Sequence, residues 1–425
     1  MGVHLERAQL LIEQSRYEMA EKELRQELAM EPDSAIAHTL LALCLNYRQM
    51  YPEATQMAQQ AIRLAPDWGY AHYVLAYILC DYNQLLEAET VLKEALRLSP
   101  DNPSYFALLS RIRYNLQLWH SALEAATQGL VVDPEDVECL NYRAMCLMQL
   151  GRLPEAQAVI ESAVALDPEY AGSYANRGWI LLAQGGYPAK ALECFREALR
   201  LQPTFEWARR GIVEALKAKN PLYRLMLRYF LWSSRLSNGA RLGFSIGLYF
   251  AFRLLVGGIA ATSFNPLLWF VVIAYCLFVL LTWIADPLFT LLLRFDRFGR
   301  LTLSEQEVKN SNLVGGVFLS ILMAIGLWLV TKNTNILIVA LSLGLLLLPI
   351  TAMLNCPAGW PRQFMATYTI LLAIAWLAAI GLSLAEPPLG EIGVQFAGIS
   401  LAFFWLGSIL SSWLATILMG VKTKQ

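Results

Sequence analysis

The sequence predicts an all-α protein: a helical-repeat solenoid over residues 1–220, then a polytopic α-helical membrane domain of about six transmembrane helices. Three observations predict it. Prolines recur at a fixed spacing through the first half, long apolar segments fill the second, and charge divides between them. Residues 1–220 hold 28 Asp/Glu against 20 Lys/Arg, a net of −8, while the rest holds 6 against 13, a net of +7. At 425 residues, more than one folding unit is the default. An acidic soluble half excludes a nucleic-acid binder, whose basic residues concentrate on the soluble surface.

The repeat comes first. Pro32, Pro66, Pro100, Pro134 and Pro168 stand 34 residues apart, and Pro203 follows after 35. A fixed period of this length marks a solenoid, and 34 is a helix–turn–helix period. Ala20, Ala54, Ala88, Ala122, Ala156 and Ala191 each stand twelve residues before their prolines. Leu24, Leu92, Ile160 and Phe195 stand eight before, and Ala42, Ala76, Ala144 and Gly178 hold a small position in the first helix. Antiparallel helices approach closely only where one side chain is small. Each proline ends the second helix, because the residue before it is pushed out of helical geometry. The block from Ala35 therefore reads as a first helix over 35–48 and a second over 52–64, and the turn at Gly185 and Gly186 absorbs the sixth block's extra residue. Six units cover 1–203, a capping helix 204–220, a basic amphipathic juxtamembrane helix 221–241, and the membrane domain 242–425.

These positions resemble the tetratricopeptide repeat (TPR) family over about half the chain. The family's aromatic at the fourth position is mostly replaced, by His38, His72, Phe106, Leu140 and Tyr174. The resemblance implies a right-handed superhelix whose first helices line a groove for an extended peptide or partner helix, with no catalysis. By family register the groove carries Tyr70, Tyr73, Tyr77, Ala107, Arg111, Tyr114, Asn141, Met145, Met148 and Trp179. Tyr, Trp, Met and Arg are types enriched at interfaces. The Lys and Asn carboxylate clamp of chaperone-binding members is not reproduced, so an acidic chaperone tail is a poor fit. The competing reading is that the stripe only packs adjacent first helices together.

In the second half, Arg224, Arg228 and Arg235 share a helical face, with Leu225, Phe230, Leu231 and Trp232 as apolar bulk. This suits a helix in the lipid headgroup region; a basic linker is the plainer alternative. Apolar stretches follow at 242–262, 266–286, 313–331, 336–354, 364–384 and 394–419, each long enough for a hydrocarbon core of about 30 Å. Basic residues before the first span, at Arg294, Arg297, Arg300 and Lys309, at Arg362, and at Lys422 and Lys424 fall on one side, opposite Phe264, Lys332, Glu386 and Glu391. The array, the loop at 294–312 and both termini are thus expected in the cytoplasm. Ser304 and Glu307 form a capping-box pattern, and Phe295, Phe298 and Leu301 suit either the membrane interface or the array surface.

Chemistry is sparse. Arg253 and Asp286 are the ionisable residues inside the spans, and intramembrane charges are functional suspects by default. A structural pair or a snorkelling arginine is the plainer reading. His4, His38, His72 and His120 make no metal spacing, and seven scattered cysteines without a C-x-x-C pair suggest buried thiols in a reducing compartment. No phosphate loop, dinucleotide fingerprint or nucleophile elbow is present, so neither an enzyme nor a cofactor is expected. Gly243 and Gly247 make a single small-xxx-small motif, a weak sign of a homo-oligomer. The N-terminal segment lacks the apolar core of a signal peptide, and no eukaryotic address is present, so a prokaryotic plasma membrane is expected. The expectation is a membrane-anchored scaffold or assembly factor with a protein partner in its groove and a membrane-protein client. The alternative is a transporter or channel regulated by the array, which needs Arg253 and Asp286 in one wet cavity. A membrane transferase is the third and weakest reading.

Overall fold

The structure, a computed structural model, describes residues 2–236, 238–260, 266–294, 303–357, 359–383 and 391–419. Among the described residues there is no strand. The chain divides into two units, Met1–Gly211 and Ile212–Gln425.

Unit one is a series of helix pairs. These are α1 (Val3–Glu13) with α2 (Tyr17–Met30), α3 (Ala35–Tyr47) with α4 (Tyr51–Leu64), and α5 (Gly69–Asp81) with α6 (Leu85–Leu98). Then come α7 (Pro103–Asn115) with α8 (Trp119–Val132), α9 (Val137–Gln149) with α10 (Leu153–Leu166), and α11 (Ala171–Gln184) with α12 (Pro188–Leu201). The first helices, α1, α3, α5, α7, α9 and α11, pack against one another in that order. The division between units falls inside α13 (Glu206–Lys217).

Small residues make this packing possible. The six register alanines from Ala20 to Ala191 are completely buried, as are Ala42, Ala76 and Ala144. Ser110 fills the same position in α7 and hides its hydroxyl by donating to the Ala122 carbonyl at 2.8 Å. At Gly178 a Cβ would lie 2.6 Å from the Phe195 ring, so only glycine fits. Leu24, Leu92, Ile160 and Phe195 are wholly inside. Each second helix stops two residues before its proline, as at Leu64 before Pro66.

The turn inside each pair repeats too. Ser15, Gln49, Asn83, Gln117, Gly151 and Gly185, all 34 residues apart, adopt left-handed φ between 58° and 80°. Gln49 N–H donates to Asn46 O and Met50 N–H to Leu45 O, so the turn closes the carbonyls at the end of α3. The extra residue of the sixth block lies after Gly185: α12 begins 35 residues after α10, while Gly185 keeps register with Gly151. Cys44, Cys80, Cys139, Cys146 and Cys194 are free, buried thiols.

Unit two contains the end of α13, then α14 (Pro221–Ser234), α15 (Asn238–Ala260), α16 (Pro266–Leu293), α17 (Glu305–Thr331), α18 (Thr334–Asn355), α19 (Trp360–Ser383) and α20 (Glu391–Met419). Among the described residues, four stretches are long and apolar enough to cross a membrane: Glu305–Thr331, Thr334–Asn355, Trp360–Leu382 and Gln395–Ala415. They match the last four expected spans. The first two coincide with α15 and α16, which hold side chains outside the described set and are not among the four. Also outside it lie residues 261–265 with Phe264, 295–302 with Phe295, Arg297, Phe298, Arg300 and Leu301, residues 384–390 with Glu386, and Lys422 and Lys424.

The apolar helices meet in a small core of Ile284, Val314, Leu346, Leu347, Ile350, Leu372 and Phe404. Two polar side chains there bond within the unit: Trp376 Nε1 donates to Ser342 at 2.7 Å, and Tyr368 OH to the Gly407 carbonyl at 2.8 Å. Leu319, Met323, Leu327, Ile374, Leu406 and Ile417 stay exposed, an apolar surface that suits lipid. The Ser304 and Glu307 capping box opens α17, and Lys332 at φ 54° turns the chain into α18.

Candidate functional site

The first helices of unit one carry a continuous aromatic wall. Trp68 and Tyr70 have ring centroids 5.5 Å apart, Tyr70 and Tyr73 5.8 Å, Tyr73 and Tyr77 6.3 Å, and Tyr73 stacks on Tyr105 at 4.9 Å. Gly69 opens α5 so that these tyrosines fall at i, i+3 and i+7 on one face. Arg111 of α7 lies 5.2 Å from the Tyr77 ring centre and 2.5 Å from Asp81 Oδ1. Asp81 also accepts from Asn46 Nδ2 at 2.7 Å. Burial disfavours the guanidinium charge, but Tyr142, Cys80, Asp81 and Tyr77 more than offset this and hold its pKa above the ordinary value. Glu138, in the first turn of α9, sits in the field of Tyr73, Tyr142 and Tyr170. Partial desolvation, reinforced by Asp136 and opposed by Arg111, pushes its carboxyl up.

A polar ladder runs behind this wall. Asn46 reaches Asp81, Asn115 Nδ2 lies 4.0 Å from Cys80 Sγ, and Gln149 Nε2 donates to Tyr114 OH at 2.9 Å. Each link joins one repeat to the next at equivalent positions. Tyr114, whose hydroxyl burial pushes to about 12, also meets Trp119 edge-on at 4.9 Å.

The expected groove residues therefore separate into two sets. Tyr70, Tyr73, Tyr77, Arg111 and Tyr114 are half-buried with part of their surface open. Ala107, Asn141, Met145, Met148 and Trp179 are buried. Trp179, 8% exposed, stacks on Trp207 at 4.7 Å, and Trp207 Nε1 donates to Asn176 Oδ1 at 3.2 Å. Asn176 donates to Asn141 Oδ1, and Asn141 to Ser173, both at 2.8 Å. These side chains tie α9, α11 and α13 together. The family register did not reach Tyr47, Asp81, Tyr142 and Tyr170, whereas Glu138 stands 68 residues after Tyr70 at the same register position. Tyr47 and Asp81 sit one residue beyond the twelfth position, and their recurrence at 34 residues was the available signal.

In unit two the expected interfacial arginines also differ among themselves. Arg224 donates to the carbonyls of Ala218 and Lys219 at 3.0 and 3.4 Å, so it caps the end of α13. Arg228 is exposed, and Arg235 is half-buried with its pKa drawn down by desolvation. Leu222, Leu225 and Trp232 form an exposed apolar stripe on α14 beside them, while Tyr223, Met226 and Leu227 face inward.

The two charges expected inside the spans do not pair with each other among the described residues. Asp286 accepts from Lys217 Nζ at 2.5 Å, and Arg253 is exposed on α15. Lys217 also meets Glu214 at 3.4 Å, and Tyr223 OH donates to Glu214 at 2.7 Å. Desolvation opposes the Lys217 charge, but Glu214 and Asp286 outweigh it and raise its pKa. Burial pushes the Glu214 carboxyl up against the pull of Lys217. Among the described residues, no group of three or more His, Cys, Asp or Glu is placed to hold a metal ion.

Paired helices in 34-residue register with an aromatic wall on the first helices define a helical-repeat interaction scaffold. Tetratricopeptide repeat models match residues 5–67, 47–112, 108–171 and 171–205, and residues 5–205 belong to that family. Among curated proteins, the chain is 31% identical over 87 residues to Hsp70-Hsp90 organizing protein 3 of Arabidopsis thaliana, covering 20% of this chain and 15% of that one. It is 28% identical over 111 residues to Hsp70-Hsp90 organizing protein 1 of Glycine max, covering 26% and 19%. The chain thus spans less than a fifth of the length of either relative. Similar solved structures include PilW, a type IV pilus biogenesis factor (17% identity, 49% of this chain and 96% of that one, TM-score 0.42), and yeast Tom70 (20%, 47% and 43%, 0.40).

Proposed function

We propose that this protein is a membrane-anchored TPR scaffold or assembly factor. Its cytoplasmic repeat array captures a peptide or helix of a partner protein, and its apolar helices hold that partner at the membrane beside a membrane-protein client. The observation that carries this reading is the half-open wall of Tyr70, Tyr73, Tyr77 and Arg111 in a chain that also holds four membrane-length apolar helices. Such tyrosines give large contact area at small conformational cost. The exposed apolar stripe of α14 beside Arg228 supports an interfacial helix on the array side of an anionic prokaryotic membrane. The names of the two curated relatives speak of organizing Hsp70 and Hsp90; chaperone binding is not carried over, because the overlap is short and the clamp residues are missing.

The transporter reading needed Arg253 and Asp286 to share a cavity. Asp286 is instead engaged by Lys217, and that removes its motive. The test is photo-crosslinking in native membranes, with p-benzoylphenylalanine replacing Tyr77 or, as control, Val131, which is exposed on α8. A discrete protein adduct from position 77 and none from 131 is expected. Equal labelling from both positions would contradict the proposal.

A further inference from the structure

Several of the array's acids are neutralised by an arginine beside them. Glu94 pairs with Arg97, Glu155 with Arg152, Glu197 with Arg200, and Glu21 with Arg25 and Arg48. At the wall the balance is different. Arg111 is the cation coupled to the tyrosines, and Asp81 already engages it. Glu138 makes no hydrogen bond or ion pair among the described residues; it is exposed in the first turn of α9, at the repeat position that Tyr70 holds in α5.

We infer that the wall takes a basic side chain, lysine or arginine, of an extended partner segment, seated on the tyrosine rings with its charge toward Glu138. The inference rests on the reading of the wall as a binding surface and specifies its ligand. A cation over an aromatic face is attracted by the ring's negative π-face, and Tyr77 already holds Arg111 in this way. An acidic ligand would meet Glu138 and find the one nearby guanidinium occupied. A purely apolar ligand would strip water from the Glu138 carboxylate and the tyrosine hydroxyls without replacing its hydrogen bonds. The array's net charge of −8 adds a long-range field that favours a basic partner.

The test uses the full chain in phosphatidylcholine nanodiscs, panned against a random-peptide display library with empty nanodiscs as the background. Recovered peptides are expected to share a lysine or arginine at one position. Replacing that residue by glutamine in the peptide, or Glu138→Gln in the protein, is expected to weaken binding roughly tenfold. Tyr77→Phe keeps the ring and is expected to bind nearly as well, whereas Tyr77→Ala does not. Circular dichroism melting of each variant separates lost binding from lost fold. Peptides that need Tyr77 but share an acidic or wholly apolar motif would overturn the basic-ligand inference and leave the wall as a binding site. Recovery of no peptide above background would overturn both.

Discussion

Lys217 Nζ lies 2.5 Å from Asp286 Oδ1, joining the last turn of α13 to the C-terminal third of α16 across 69 residues of chain. The lysine side chain is only 2% exposed, while Asp286 keeps 63% of its side-chain surface open. Removing the lysine leaves the Glu214 carboxylate facing Asp286 without its cation, a destabilising loss that solvent reaching the open Asp286 partly screens. Lys217→Met is therefore expected to lower the unfolding midpoint of unit two in detergent, while Lys219→Met, at an exposed neighbour, leaves it unchanged. The lysine's folded pKa is raised, so its contribution is fully present below the ordinary lysine value of 10.5 and is lost as pH rises through the higher folded value. Melting curves at rising alkaline pH check that sign.

The repeated left-handed turn offers an opposite effect. Gln49, Asn83 and Gln117 hold φ of 62° with side chains that strain the backbone there, where Gly151 and Gly185 do not. Gln49→Gly and Gln117→Gly are each expected to stabilise the array by about 1 kcal/mol, and Gly151→Ala to destabilise it by a similar amount. Asn83→Gly should gain less, because asparagine tolerates this region. Urea unfolding of the four variants ranks them.

Trp207 closes the last repeat over Trp179. Trp207→Ala is expected to cost about 2–3 kcal/mol and to expose the Trp179 indole. Its fluorescence should then become quenchable by iodide while peptide binding at Tyr77 survives.

Binding at the wall should depend on pH through Glu138. Its carboxylate is the form that attracts a basic ligand, and its pKa stands above the ordinary 4.5. Affinity is expected to be constant near neutrality and to fall as acidification protonates Glu138, beginning above pH 4.5. In Glu138→Gln the fall should disappear, and titration calorimetry across the range measures both.

How far the fold was legible follows from which constraints are local. The alanines twelve residues before each proline announce themselves, because a helix crossing admits nothing larger at Ala54 or Ala122. Tyr73 and Tyr77 were equally visible from the register. The burial of Trp179 was not legible, because the residue that covers it, Trp207, lies beyond the repeating units in α13. Asp81 escaped because the packing of successive repeats, rather than its own helix, brings it to Arg111, whereas Glu138 shares the register position of Tyr70 and was legible there. Lys217 finds Asp286 through the packing of unit two, with no local pattern linking them. Arg253 seemed the natural partner of Asp286 on hydropathy alone.

The central claim is that the tyrosine wall of the repeats is where a partner protein binds. Its most direct measurement is quantitative co-purification from membranes of the wild type against Tyr73→Ala/Tyr77→Ala, at matched expression and matched melting temperature. The account predicts that protein retained by the wild type falls at least tenfold in the double variant, while membrane insertion is unchanged. Undiminished retention by the folded double variant would contradict it.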